Sequence, residues 1–421
     1  MTLSINIMAT SAMYYDSTAS NWLVKTSRLL IDNEWPRDRP LLLDGSSFRM
    51  DCRDEANRVF FESLLRNQTA RVLTLKNIQF SLEAGSYLEK MLLKNKTLRT
   101  LNFCNVSIQD EKCFLPESLS KNTTIQELRI DNCKLSLERC ADLGTLIRTS
   151  RSLKLLNLSN LNLGKAATKI ALALESNCGS LCHLEMSDTQ MDSESISSLL
   201  NSIQRNTTLI SLRLNRSGIG PKNASDLAGL LATNKHLKAL SLCDNSLNGA
   251  SIRIMAEEGL RHNDTLQTLF LSHNPIGDEG AIYLTDFLME NTVLQSLVLV
   301  DCEIWRQGCS YLAQGLAKMR GLRQLTVDGD ELEDQVEYVL ESVKMNMSLV
   351  NLLTDRMHIL IQTNDQWKEV AFYLRLNRAK RRVLIEKHMP LSLLPRVLEE
   401  STQDPDALFY LIQHMPQLVK P

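Results

Sequence analysis

Leu237-Lys-Ala-Leu240-Ser-Leu242-Cys-Asp-Asn245-Ser-Leu247 carries leucine at its first, fourth, sixth and eleventh positions and asparagine at its ninth. The alternation through Leu240 and Leu242 is the period of a strand with one buried face. The frame returns along most of the chain. Its first positions are Ala70, Leu98, Ile125, Leu153, Leu181, Leu209, Leu237, Leu266, Leu294, Leu322 and Leu349, always 27 to 29 residues apart. Eleven units held that closely are not chance clustering of apolar residues.

The second half of each unit changes period. Ala281, Leu284, Phe287 and Leu288 form one helical stripe, and Leu227, Leu230 and Leu231 another, as one buried helix face requires. Strand alternation puts pairs such as Leu128/Ile130, Leu212/Leu214 and Leu269/Leu271 toward a core and their neighbours away from it. One unit cannot bury both its strand face and its helix face, so the units must stack. Asparagine stands three residues before the first position in eight units, from Asn67 to Asn346. It is expected to turn each helix into the next strand through a positive φ. Thr or Ser follows two residues later in six of these, and the resulting N-x-S/T triplets are read as turn chemistry, not glycosylation acceptors.

Three segments follow. Residues 1–66 are a flexible segment and N-terminal cap, with Leu41, Leu43 and Phe48 in a degenerate frame and a helix over Glu55–Leu65. Residues 67–359 hold eleven repeats, the last degraded by Thr354. Residues 360–421 form a C-terminal helical cap with helices expected at Trp367–Leu384, Leu391–Leu398 and Asp406–Gln413. A stacked array exposes its core at each end, and caps answer that need.

Composition narrows the function. A net charge of −2 gives no pull toward nucleic acid or an anionic membrane. No apolar run is long enough to span a bilayer, and residues 1–26 have no secretory pattern. Ten scattered cysteines without a C-x-x-C pair suit reduced thiols in a cytoplasmic or nuclear protein. No cofactor motif is present: Gly218-Ile-Gly220-Pro-Lys222 lacks the G-K-[ST] ending of a phosphate loop and is read as a turn. Cys178, Cys182 and His183 lack a second cluster to complete a zinc site. Cys133 and Cys302 occupy the ninth position and are read as core.

Units such as Leu266-Gln-Thr-Leu269-Phe-Leu271-Ser-His-Asn274-Pro-Ile276-Gly resemble the ribonuclease-inhibitor-type leucine-rich repeats. Val106, Leu161, Thr189 and Ser217 depart from the pattern at the ninth position. The resemblance implies an α/β leucine-rich-repeat solenoid, a right-handed α/β horseshoe with a parallel concave sheet, convex helices and a cap at each end. It implies a non-catalytic intracellular scaffold that binds a protein partner on the concave face. The same family includes the activating protein of the Ran GTPase. The second reading is therefore a GTPase-activating or other regulator of a small GTPase, working through arginines such as Arg71, Arg99, Arg129, Arg213 and Arg216. No motif carries a catalytic residue over. Neither the partner's identity nor an oligomeric state follows from the pattern.

The fifth and eighth positions of each unit face away from the core. From the fifth unit on they bring Glu185, Arg213, Arg216, His273 and Asp301 beside Phe270, Val298 and Val300, with Trp305 just beyond the strand. Aromatic and aliphatic anchors ringed by charge are the residue types of a protein-binding patch. The other use of Phe270, Val298 and Val300 would be packing beneath the C-terminal cap or against a second copy.

Overall fold

The computed structural model describes residues 26–37, 39–45, 54–108, 116–133 and 137–378. The chain divides into two compact units, Met1–Asn157 and Leu158–Pro421. The first holds five parallel strands in chain order: β1 (Leu41–Asp44), β2 (Val72–Phe80), β3 (Thr100–Ile108), β4 (Glu127–Asp131) and β5 (Leu155–Asn157). The second holds seven more: β6 (His183–Glu185), β7 (Ser211–Arg213), β8 (Ala239–Ser241), β9 (Thr268–Phe270), β10 (Ser296–Leu299), β11 (Gln324–Val327) and β12 (Asn351–Leu353). Helices connect successive strands, as parallel pairing demands of its crossovers.

The leucine frame fixes the register. In the first unit Leu41, Leu73, Leu101, Leu128 and Leu156 stand opposite one another. In the second, Leu184, Leu212, Leu240, Leu269, Leu297, Leu325 and Leu352 do the same. All are buried. A slip of one residue would turn every one of them to solvent, so burial itself holds the alignment. Leu237 to Leu266, the 29-residue step, absorbs its extra residue in the helix layer. There the helix Gly249–Ile254 widens into a π-helical turn at Met255–Gly259. Gly259 sits where a Cβ would come within 2.9 Å of the Ala228 Cα, so the widened turn presses backbone against the neighbouring helix.

The asparagines of these eight units act differently from the expectation. Asn95, Asn234 and Asn346 have φ of −64°, −74° and −76°, ordinary extended backbone. Their work is done by the side chain. Asn234 Oδ1 accepts from the backbone N–H of His236 and Leu237 at 2.9 and 2.8 Å. Its Nδ2 donates to the carbonyls of Ile203 and Asn206 in the preceding repeat at 2.8 and 2.9 Å. Asn95, Asn206, Asn263 and Asn346 repeat this cross-link at 2.6–2.7 Å. Each of these amides is buried and already bonded, which agrees with reading the N-x-S/T triplets as turn chemistry. Positive φ falls instead at the eighth position, at Asn77, Asn105, Asn132, Asn160, Asp188, Arg216, Asp244, His273 and Asp301.

At the ends, β1 forms at the degenerate frame of Leu41 and Leu43 and pairs in register with β2. The helix expected at Glu55–Leu65 forms at Asp54–Arg66. The helix expected from Trp367 is described over Asp365–Arg378, with Trp367, Val370, Leu374 and Leu376 buried. Its Asn377 Nδ2 donates to the carbonyls of Asn346 and Leu349, each at 2.9 Å, so the asparagine series runs into the segment expected as the C-terminal cap. Phe48, the segment Met1–Thr18, and the helices expected at Leu391–Leu398 and Asp406–Gln413 lie outside the described residues.

Asn234→Ala should lower stability by about 2–4 kcal/mol, because two buried N–H groups and two carbonyls lose their partner together. Asn291→Ala, at a half-buried member of the series, should cost clearly less. Urea unfolding of the two variants measures the difference.

Candidate protein-binding face

The fifth positions of the second unit form one row across the sheet. Glu185, Arg213, Ser241, Phe270, Val298, Thr326 and Leu353 each stand opposite the next, about 4.8 Å apart from strand to strand. Phe270 and Val298 are half-buried, held partly by their neighbours in the row. Leu353, which the expected patch omits, ends the row at 42% exposure. Its register with Phe270 was the signal for it. Arg213 Nη1 lies 3.4 Å from Glu185 Oε1, an exposed pair of little energetic weight.

The strands of this unit are short, but their ladder continues into the turns. Arg216 N donates to the Cys243 carbonyl at 3.0 Å, Asp244 N to Ser272 at 2.9 Å and His273 N to Val300 at 2.8 Å. The eighth-position residues therefore make a second row along the edge where the strands end. Arg216 lies 3.7 Å from Asp188 and 3.5 Å from Asp244, and His273 Nδ1 lies 3.2 Å from Asp301 Oδ2. Arg216 and His273 hold φ of 51° and 57° where the other turns of the series use Asn or Asp. Bulky residues take that conformation at a cost of roughly 1 kcal/mol, so backbone ease does not account for these two.

The structure thus groups Glu185, Arg213, Phe270 and Val298 on the strand row and Arg216, His273 and Asp301 on the turn row. Val300 is half-buried between them, its N–H bonded to Ser272 Oγ at 3.2 Å. Trp305 belongs to neither row. It stands at the start of the helix Arg306–Gly315, 61% exposed, with its backbone N–H on Asp278 Oδ1 at 2.7 Å. The helix Asp365–Arg378 packs on the helix Val336–Met345, and Phe270 and Val298 keep part of their surface open. Arg71 and Arg99 depart from the expectation of strand-face arginines. They precede β2 and β3 and donate to the carbonyls of Thr97 and Thr124.

Asp328 is the electrostatically strained group here. Partial burial, with the charges of Asp301 and Asp355, raises its carboxyl above the usual carboxylate range; hydrogen bonds from Asp301 and Cys302 backbone oppose this. Burial pushes the thiols of Cys302 and Cys309 up to about 12 and that of Cys133 to about 11, so these sulfurs stay neutral and pack as small apolar groups. Cys104, Cys133, Cys178, Cys182, Cys243, Cys302 and Cys309 are free, and among the described residues no cluster of His, Cys, Asp and Glu could hold a metal ion. Among those residues no helix is long and apolar enough to cross a membrane.

A raised folded pKa means that ionised Asp328 opposes folding. Asp328→Asn, which keeps an oxygen for the Asp301 N–H, should therefore raise the melting temperature slightly at pH 7. That gain should shrink as the pH falls from the raised value and be gone below the ordinary carboxylate value, where the wild-type side chain is protonated in both states. Thermal melts of both proteins across this range measure it.

A family model described as "Leucine Rich repeat" matches residues 262–284. The chain is 28% identical to the mouse (Mus musculus) NACHT, LRR and PYD domains-containing protein 5 over 297 residues, 69% of this chain and 25% of that protein. It is 24% identical to the pig (Sus scrofa) ribonuclease inhibitor over 277 residues, 64% of this chain and 60% of that protein. The mouse ribonuclease inhibitor is 27% identical over 344 residues, 66% of this chain and 75% of the inhibitor. The match thus spans a quarter of the first relative's length and less than two thirds of the second's. With strands in repeat register within each unit, each followed by helix, the chain is built of leucine-rich repeats and is similar to the ribonuclease inhibitors.

Proposed function

We propose that this chain is a non-catalytic protein-binding scaffold working through the strand face of its second unit, the face expected from the sequence to be concave. Phe270, Val298 and Val300 are its centre, with Leu353 extending it. Glu185, Arg213, Arg216, His273 and Asp301 are its charged border, and Trp305 is an anchor at its edge. One observation carries this reading: Phe270 and Val298 are register partners that remain partly open on a sheet face whose other fifth positions are mostly polar. Apolar side chains so placed gain by being covered, and a partner that covers them gains the same area.

Two relatives are, by name, inhibitors of a ribonuclease and so act on another protein. Arg213 and Arg216 are engaged with acids of their own sheet, which suits a solvated charge ladder better than a group held for catalysis. Free thiols with burial-raised pKa suit a reducing cytoplasmic or nuclear setting.

Phe270→Ser with Val298→Ser should abolish capture of the protein's partner from its native cell extract. The melting temperature should fall by no more than about 5 °C, because both residues are only half-buried. Affinity purification beside a thermal melt reads both quantities. A collapse of stability would show the pair to be core and end the assignment.

A further inference from the structure

The charge around the apolar row is not evenly spread. Past the strand ends, on the edge shared by the parallel strands of the second unit, lie Asp301, Glu303, Asp328, Asp330, Glu331 and Asp355. Arg356, on the same edge, is bonded to Asp330 and lies 3.9 Å from Glu333. Before the strand starts, on the opposite edge, lie Lys235, Lys238, Arg261, Lys318, Arg320 and Arg323, of which Lys235 pairs with Asp264 and Arg261 with Glu290. Part of this polarity has a structural cause. Helices run back against the strands, so their positive ends favour acids where strands finish and their negative ends favour bases where strands begin. Asp278 and Glu279, in the first turn of the helix Gly277–Glu290, fit that cause.

Asp301, Asp328 and Asp355 have a different setting. They occupy three successive turns next to Val298, Val300 and Leu353, and two of them are pinned by backbone. Asp328 accepts the Asp301 N–H at 2.9 Å and Asp355 accepts the Gly329 N–H at 3.0 Å. The carboxylates are thus held beside the apolar row. Trp305, exposed on the same edge, offers an aromatic face of the kind on which a guanidinium or ammonium group can stack.

Building on the protein-binding reading above, we infer that the occupant of this face is a lysine- or arginine-rich segment of another protein. An apolar side chain of that segment seats on Phe270, Val298 and Leu353 while its cations lie along Asp301, Asp328 and Asp355. A nucleic acid would meet this acidic edge with like charge. A second copy of this chain could offer its basic edge to the acidic one, which makes self-association the competing occupant.

The test uses the full chain and three short synthetic peptides: Arg alternating with Leu, Glu alternating with Leu, and Arg alternating with Ser. Fluorescence anisotropy at low and moderate salt gives the affinities. The Arg/Leu peptide should bind at least about tenfold more tightly than either control, with an affinity that falls as salt rises. The D301N/D328N/D355N variant, which keeps oxygen acceptors for the backbone N–H groups, should lose about tenfold of that affinity. The Phe270→Ser/Val298→Ser variant should lose the binding altogether. Equal binding of the Glu/Leu peptide, or indifference to the three Asn substitutions, would overturn the cationic occupant while leaving the apolar site standing. Arg/Leu binding that survives loss of Phe270 and Val298 would instead remove the site. A concentration-dependent dimer abolished by the same pair, with no preference among peptides, would give the face to a second copy.

Discussion

No repeat in this chain can satisfy itself, and the buried asparagine amides are where that dependence is most concrete. Asn234 accepts from its own turn and donates to two carbonyls of the repeat before it. A carbonyl left bare there would be costly, since burial removes the water that would otherwise serve it. The amide therefore does two things at once: it shapes the turn into a strand and fastens that strand's repeat to its predecessor. The leucine rows supply most of the favourable free energy, but apolar packing is not directional. Asparagine supplies the direction, and the three-residue strands β6 to β9 keep one register despite their few backbone hydrogen bonds.

That register is what makes a surface out of scattered residues. Phe270 and Val298 are 28 residues apart and become neighbours only because Leu269 and Leu297 are fixed opposite each other. The turn row depends on the same alignment together with a left-handed residue at the eighth positions from Asp188 to Asp301. Those turns stop the strand, send the chain toward the helix layer and leave the eighth side chain standing at the sheet's edge. Arg216 and His273 accept an unfavourable backbone conformation for that position, and each then meets an acid from a neighbouring turn. Local strain is offset by the stack around it, which over-determines the backbone there.

Period and composition made the fold legible. Leucines at the fourth and sixth positions named the strands, helical stripes named the connections, and the constant spacing named the stack. The role of asparagine was not legible, because the residue serves two kinds of turn. At the eighth position it relieves a positive φ, while three residues before the repeat it works through its amide at negative φ, and only coordinates separate the two. Asn377 escaped for a related reason: it lies 31 residues after Asn346, outside the frame, yet its Nδ2 donates to two carbonyls as in the series. Leu353 was visible as a fifth-position residue, but its weight comes from being left open at the end of the row. Trp305 was read into the patch by nearness in sequence, and it stands at the edge, at the start of a helix. The strand has already ended, and the chain has turned toward the helix, before Trp305 is reached.

The polarity of the second unit shows how stability and recognition can share one set of charges. Acids near helix starts are favourable whatever binds, and so are bases near helix ends. A stack that repeats this choice in every turn builds an acidic edge and a basic edge with no partner involved. Asp328 goes past that need: its environment raises its pKa, so its ionised form weighs against folding. A cation placed beside it would act against that shift, because opposite charge favours the ionised carboxylate while burial and like charge oppose it. A carboxylate so placed weighs against folding in the free protein and is relieved by a cation that covers it.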